Sequence, residues 1–162
     1  MRTFLFLALS AVLLIQAGCT RDDGRPKDMP NLYATSITIT QEGKPLEGAT
    51  VSLSSATPSQ YSASGITDAS GVAVLRTYGF DGAPAGEYTV LVNKIGAENQ
   101  REVTTFEGAT DRVGGDSYNY VDPIFSKRDT STLNITVTNK GAKETLDVGE
   151  AVRVFLFANP TN

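Results

Sequence analysis

Cys19 is the only cysteine of this 162-residue chain and its most reactive side chain. It directly follows the small pair Ala17-Gly18, and these follow a nearly uninterrupted apolar run over residues 4–15. Arg2 supplies one positive charge ahead of that run. A charged start, an apolar stretch and small residues are typical of an N-terminal export signal with its processing site. The pattern therefore predicts an export signal that is processed close to Cys19.

The same stretch resembles a bacterial lipoprotein signal, which is cut before the cysteine and whose sulfur carries a diacylglyceryl group. The resemblance implies removal of residues 1–18 and lipidation at Cys19. Gln16 departs from the aliphatic residue usual three places before that cysteine. Two alternatives stay open: an ordinary secretory signal cut near Ala17, and an uncleaved anchor. The apolar run is shorter than the ~20 residues that a spanning helix needs.

Acidic side chains recur between residues 98 and 122, where a pair could do the acid–base work of a small envelope hydrolase. The candidates are Glu98, Glu102, Glu107, Asp111, Asp116 and Asp122. No spacing singles out a pair. Asp111, Asp116 and Asp122 also carry oxygens suited to calcium, but no EF-hand-type pattern is present. We therefore predict no catalytic residue, no metal site and no cofactor, and keep the hydrolase as the alternative.

Residues 96–127 are the part of the chain with the weakest apolar alternation, and they carry four glycines between Gly96 and Gly115. This composition predicts a long irregular loop, and such loops often bind ligands. Three aromatic residues stand near its end: Tyr118, Tyr120 and Phe125. Aromatic rings stack on sugar or peptide faces, so residues 96–125 are predicted to form a ligand-binding surface at these rings. Packing of the rings against the domain is the alternative.

The composition excludes several functional classes. The chain has no histidine, which removes the commonest general base and transition-metal ligand. With one cysteine, which the signal assigns to lipidation, no disulfide or cysteine-based zinc site is expected. Removing residues 1–18, which contain Arg2 and no acid, leaves 13 basic and 18 acidic residues, a net charge of −5. An acidic chain of this kind is not expected to bind nucleic acid.

The remaining 144 residues divide into a polar stretch and one domain. Residues 19–34, with charges of both signs and two prolines, predict a flexible tether behind the lipid. From residue 35 to 162, short period-two runs separated by Gly, Pro and Asp turns predict an all-β sandwich. Alternation predicts these core faces: Ile37/Ile39, Val51/Leu53, Val72/Val74, Tyr88/Val90/Val92 and Leu133/Ile135/Val137.

Several segments, in order, resemble carboxypeptidase-regulatory-like domains. They are residues 43–51 (GKPLEGATV), 65–71 (GITDASG), 81–90 (DGAPAGEYTV), and 120–123 (YVDP) followed by 131–133. The resemblance spans about residues 35–137. It implies a Greek-key sandwich of about seven strands, transthyretin- or prealbumin-like, acting as a non-catalytic module. It implies no ligand site.

These inferences combine into one functional expectation. We expect a lipid-anchored, exported β-sandwich with a binding or scaffolding role at the bacterial cell envelope, in the outer membrane or at the cell surface. The expected contacts are the membrane, through the lipid on Cys19, and a protein or polysaccharide partner. An accessory subunit of an envelope complex, pairing through an exposed strand edge, is a further alternative.

Overall fold

The computed structural model describes residues 24–56, 60–104 and 110–159, with the backbone alone at 101, 103, 104, 110–113, 158 and 159. Cys19 and the predicted signal lie outside these residues. Within them, no helix is long and apolar enough to cross a membrane. The chain is almost entirely β-structure, as predicted, with one 3₁₀ turn at Pro123–Ser126.

Seventeen strands follow one another in the part of the chain that the structure describes. They are β1 (Leu32–Tyr33), β2 (Thr35–Gln41), β3 (Lys44–Pro45), β4 (Thr50–Ser55), β5 (Ala63–Ile66), β6 (Val72–Val74), β7 (Arg76–Thr77), β8 (Phe80–Asp81), β9 (Ala83–Pro84), β10 (Gly86–Asn93), β11 (Ile95–Glu98), β12 (Arg101–Thr104), β13 (Thr110–Val113), β14 (Gly115–Asn119), β15 (Asn134–Val137), β16 (Ala142–Asp147) and β17 (Val154–Asn159). The pair β1–β9 falls partly within the predicted tether.

Two sheets share one hydrophobic core. The larger has the order β15-β10-β4-β5-β7-β8, and the smaller has the order β16-β2-β3 with β6 also paired to β2. Ile37 and Ile39 of β2 are fully buried in the same cluster as Val51 of β4 and Val90 of β10. Apolar burial of this kind is the main favourable term in folding. The shared core therefore holds the two sheets together, and the remaining strands are attached to them.

The predicted core faces are confirmed on β2, β4 and β10, and on β15 for Ile135 and Val137; Leu133 is half-buried. The prediction for β6 is wrong, because Val74 is 58% exposed and Val72 is only partly buried. Ala73 and Leu75 are fully buried instead. The run Val-Ala-Val-Leu is apolar at every position, so alternation could not choose its face. Pairing with β2 decides it, since Ala73 lies opposite the buried Ile37.

Two of the segments that carry the family resemblance meet at Thr67. Its hydroxyl donates to the carbonyl of Leu46 at 2.6 Å and accepts from the backbone N–H of Ala49 at 2.8 Å. In the following turn, the Asp68 carboxylate accepts from the backbone N–H groups of Ser70 and Val72. Gly71 has φ +77°, and a Cβ there would lie 2.6 Å from the Ile39 carbonyl oxygen. These residues hold the turns in place, as turn chemistry predicts.

An irregular loop was predicted over residues 96–127, but most of the described residues in this range are paired in strands. β11 and β14 pair antiparallel, and β12 and β13 continue the same register beyond a short break. Residues 95–104 and 110–119 therefore pair as one long hairpin, and the 3₁₀ turn follows it. β17 pairs with β14 and completes a three-stranded sheet, β11-β14-β17, which we call the ribbon. Glycine and polar residues occupy much of both faces of the hairpin. Because neither face carries a continuous apolar row, the sequence offered no period-two signal.

Candidate binding surface

One face of the ribbon carries a cluster of aromatic and charged side chains. Gly96, Tyr118 and Phe155 lie in one row across the three strands. Glu98 lies two residues further along β11. Tyr120 lies two residues after Tyr118, just beyond the end of β14. Both share this face, because side chains alternate along an extended chain. Glu98, Tyr118, Tyr120, Phe155 and the neighbouring Arg153 are called the ribbon cluster below.

The Glu98 carboxylate lies at the centre of the ribbon cluster. Arg153 donates to both of its oxygens, from Nη2 at 2.6 Å and from Nε at 3.2 Å, and the Tyr120 hydroxyl also donates to it. These bonds, Arg153 first, lower the pKa of Glu98 below its usual value. The bond to Glu98 raises the pKa of the Tyr120 hydroxyl. At neutral pH the cluster therefore holds an ionised carboxylate and a neutral phenol.

Arg153 also covers an aromatic ring. Its guanidinium carbon lies 3.7 Å from the centroid of the Tyr118 ring, a cation–π contact. The ring of Phe155 meets Tyr118 edge-on, with centroids 5.7 Å apart. Arg153 thus connects the start of β17 to both β11 and β14. The same contact leaves Tyr118 without one of the flat open faces on which a sugar would stack.

Gly96 makes room for the Tyr120 ring. A Cβ at Gly96 would lie 2.9 Å from Cε2 of Tyr120, closer than such contacts occur. With no side chain at this position, the ring lies across β11 and its hydroxyl reaches Glu98. The glycine that weakened the strand signal in the sequence is therefore a packing requirement of the ribbon cluster.

The base of the ribbon is fixed to the core by Asn119, which is 4% exposed. Its Oδ1 accepts from the backbone N–H groups of Lys94 and Val121, at 3.1 and 3.2 Å. Its Nδ2 donates to Asn93 Oδ1 at 3.3 Å and to Ser126 Oγ at 3.4 Å. All four hydrogen-bonding positions of the amide are used. The ribbon therefore leaves the larger sheet at a defined place, directly after β10.

The three predicted ligand-binding residues lie in two different environments. Tyr118 and Tyr120 are half-buried members of the ribbon cluster. Phe125 is 8% exposed and belongs to the main core. With Asp122 and Val148 it lines a shallow cleft of about 280 Å³. The structure brings the two tyrosines together and leaves Phe125 apart from them.

Three of the acidic residues weighed for catalysis, Glu98, Asp116 and Asp122, have structural partners. Asp122 accepts from the Ile124 N–H at 2.9 Å at the start of the 3₁₀ turn, and Asp116 accepts from Asn99 at 3.2 Å. Glu98 and Asp116 are cross-strand partners. A general acid needs a raised pKa, whereas that of Glu98 is lowered. Glu107 lies outside the described residues, as does the side chain of Asp111. Among the described residues, no group of three or more Asp, Glu, His or Cys side chains could hold a metal.

The edge strand β17 exposes apolar side chains on both faces of the ribbon. Phe155 is 55% exposed beside Tyr118, and Phe157, opposite Ser117 in the ladder, is 57% exposed on the other face. Leu156, 41% exposed, sits at a bulge between them. Among the described residues, β17 pairs only with β14. The exposure of these side chains was not predicted from the sequence, because residues 154–157 (VFLF) form an apolar run without polar alternation.

Comparisons with known proteins give no relative for this chain: no family model, no curated protein and no solved structure matches it.

Proposed function

We propose that this chain is a lipid-anchored, exported module that binds a protein partner at the bacterial cell envelope and performs no catalysis. The observation that carries the proposal is the outer strand of the ribbon, β17. Its exposed Phe155, Leu156 and Phe157 stand beside a backbone edge that no other described strand pairs with. Large exposed apolar groups at a sheet edge are characteristic of protein interaction sites.

The nature of the surface favours a protein over a polysaccharide. Strand edges offer backbone N–H and C=O groups, which another polypeptide strand satisfies in full. The aromatic rings do not form a flat platform, because Phe155 meets Tyr118 edge-on and Arg153 covers a face of that ring. The lowered pKa of Glu98 and the structural bonds of Asp122 and Asp116 support a binding role over the hydrolase alternative.

The anchor and the finer fold are part of the proposal. The sequence of residues 1–19 supports a lipid on Cys19, in the outer membrane or at the cell surface. Two sheets with one shared core support a Greek-key, transthyretin-like sandwich of the carboxypeptidase-regulatory-like kind. In this arrangement the ribbon is an addition to the sandwich, made of β11 and β14, which follow β10, and of β17.

Photo-crosslinking in intact cells tests the proposed surface. A photoreactive phenylalanine analogue replaces Phe157 in one chain and Ile66, which is 68% exposed on β5, in a matched control. We expect a protein adduct from position 157 and none from position 66. Lipid adducts alone at position 157, or equal protein adducts from both positions, would contradict the proposal. Mass spectrometry of the extracted chain should also show an acylated N-terminal Cys19; a free thiol there would refute the anchor.

A further inference from the structure

We propose that the partner at β17 is the β17 strand of a second copy of this chain, paired antiparallel about a two-fold axis. This inference rests on the proposed function, because it names the protein that the ribbon edge binds. It follows from the backbone, the side chains and the charge of Val154–Asn159, argued in turn below.

The open backbone edge requires a strand as its occupant. Among the described residues β17 pairs on one side only. Each N–H and C=O on its outer side needs a hydrogen-bond partner once Phe155 and Phe157 are covered, since a buried unsatisfied group costs free energy. A lipid tail offers no such partner. An extended polypeptide offers one for every group.

The composition of β17 makes it complementary to itself. Val154–Asn159 reads VFLFAN, with no charge, no proline and no glycine. Pairing over the full length places Phe155 opposite Ala158, and Leu156 opposite Phe157. No like charges meet in this register. Strands that avoid such pairing carry lysine, proline, an inward charge or a bulge at the edge. β17 has no charge and no proline, and the bulge at Leu156 is the one such feature that it carries.

The bulge at Leu156 favours a closed pair over a fibre. It lies between Phe155, which pairs with Tyr118, and Phe157, which pairs with Ser117. Bulges increase the local twist and interrupt a flat edge. An isologous two-fold contact uses the same edge of both copies and closes the assembly. In the dimer both β17 edges are paired, so neither is left to bind a third copy.

The size of the contact predicts a weak dimer. A fully buried aromatic side chain accounts for about 150–250 Å². Phe155, Phe157 and Leu156 are each roughly half exposed in the single chain. Covering the exposed half of all three side chains would bury roughly 300 Å² per copy. Stable interfaces bury about 800 Å² per partner. We therefore expect dissociation on dilution, and stronger association when both copies are held at one membrane, where the effective concentration is high.

Two measurements on the full, membrane-extracted chain test the inference. In light scattering over a series of protein concentrations, we expect the mass to rise from that of one chain to that of two as the concentration increases. The Phe157→Lys variant should remain a single chain with an unchanged thermal midpoint. Ile95→Lys, at a side chain that is 63% exposed on β11, should dimerise normally. A wild type that is monomeric up to roughly millimolar concentration, or a dimeric Phe157→Lys variant, would overturn the inference.

The adduct from a photoreactive residue at position 157 separates this inference from the proposed function. We expect an adduct of twice the chain mass, crosslinked within residues 154–159 of the other copy. An adduct with a different protein would refute the second copy and leave the proposed function intact. Adducts with lipid alone, together with Phe157-dependent binding of the protein to phosphatidylethanolamine–phosphatidylglycerol vesicles, would refute both.

Discussion

Arg153 lies over the ring of Tyr118, with its guanidinium carbon 3.7 Å from the ring centroid. The same side chain donates to both oxygens of Glu98. Arg153 directly precedes β17, so this pair of contacts attaches the edge strand to the two other strands of the ribbon. The positions of Phe155 and Phe157 therefore depend in part on the guanidinium group of Arg153.

Replacing Arg153 with lysine should loosen β17 without unfolding the domain. An ammonium group cannot donate in a fork to Glu98 and stack on Tyr118 at the same time. We expect amide hydrogen exchange over residues 154–157 to become a few times faster, because the strand opens more often. The thermal midpoint should change little, since the cluster lies outside the core.

Arg76→Lys is the matched control for that experiment. Arg76 forms an exposed ion pair with Asp81 at 2.7 Å, on β7 and β8 of the larger sheet. This variant should leave exchange over residues 154–157 unchanged. Equal exchange in the Arg153→Lys variant and the wild type would show that β14 alone holds the strand.

A methyl group at Gly96 should separate Tyr120 from Glu98. The Gly96→Ala Cβ would lie 2.9 Å from Cε2 of Tyr120, so the ring must move. Without the Glu98 bond, the pKa of Tyr120 should fall toward its ordinary value. A raised tyrosine pKa gives stability that is complete below about pH 10 and is lost as the pH rises through the folded value. The variant should therefore lose that contribution.

Alkaline absorbance titration measures this change, with Tyr120→Phe identifying which signal belongs to Tyr120. Ser117→Ala, on the opposite face of β14, serves as the control and should titrate as the wild type does. An unchanged Tyr120 titration in the Gly96→Ala variant would show that the ring reaches Glu98 without the space at Gly96.

Two neighbouring truncations test the register of β6. Leu75 is fully buried and Val74 is 58% exposed. Leu75→Ala should lower the free energy of unfolding by about 2–5 kcal/mol, because it leaves a cavity in the core. Val74→Ala should change it by no more than about 0.5 kcal/mol. Urea unfolding gives both values, and the reverse order would restore the register predicted from alternation.

The Asp147 carboxylate should make stability depend on acid pH. It accepts from the Thr40 hydroxyl and from the N–H groups of Gly149 and Gly43, and these bonds lower its pKa. A lowered pKa gives stability that is present above the unfolded value, about 3.9, and is lost as the pH falls through the folded value. Asp147→Asn should therefore lower the thermal midpoint most at neutral pH.

The difference between Asp147→Asn and the wild type should shrink as the pH falls below about 4. Asp129→Asn, at an exposed turn residue, controls for the loss of one negative charge. Thermal scans from pH 7 to acid give the comparison. A difference that is independent of pH would mean that the carboxylate charge plays no part in holding β2 to the turn after β16.

Where one face of a strand meets the core, the sequence predicted the structure well. Val90 and Val92 alternate with polar or half-buried neighbours, and the burial follows that pattern. At β6 it did not, because Ala73 and its neighbours are all apolar and the tertiary partner chose the face. Period-two patterns report burial, and they give the face only when the other side is polar.

The ribbon could not be predicted either, because its arrangement also depends on tertiary partners. The strand β11 has a glycine at position 96 because the Tyr120 ring occupies the space of a side chain there. This contact joins residues that are far apart in sequence. Arg153 joins the cluster through a bond to Glu98, 55 residues away. The tyrosines were noticed from their type alone. Their arrangement depends on pairing partners that no local pattern encodes.

The parallel pairing of β16 with β2 has a consequence for the order in which the chain folds. Ala142 lies opposite Thr35, and Asp147 bonds Thr40 across 107 residues of sequence. During synthesis, which starts at the N-terminus, β2 is complete long before β16 is available to pair with its edge. Long-range pairings of this kind slow folding, because the loop entropy is lost before the contacts are gained. The edge of β2 therefore gains its parallel partner only when nearly the whole described chain is present.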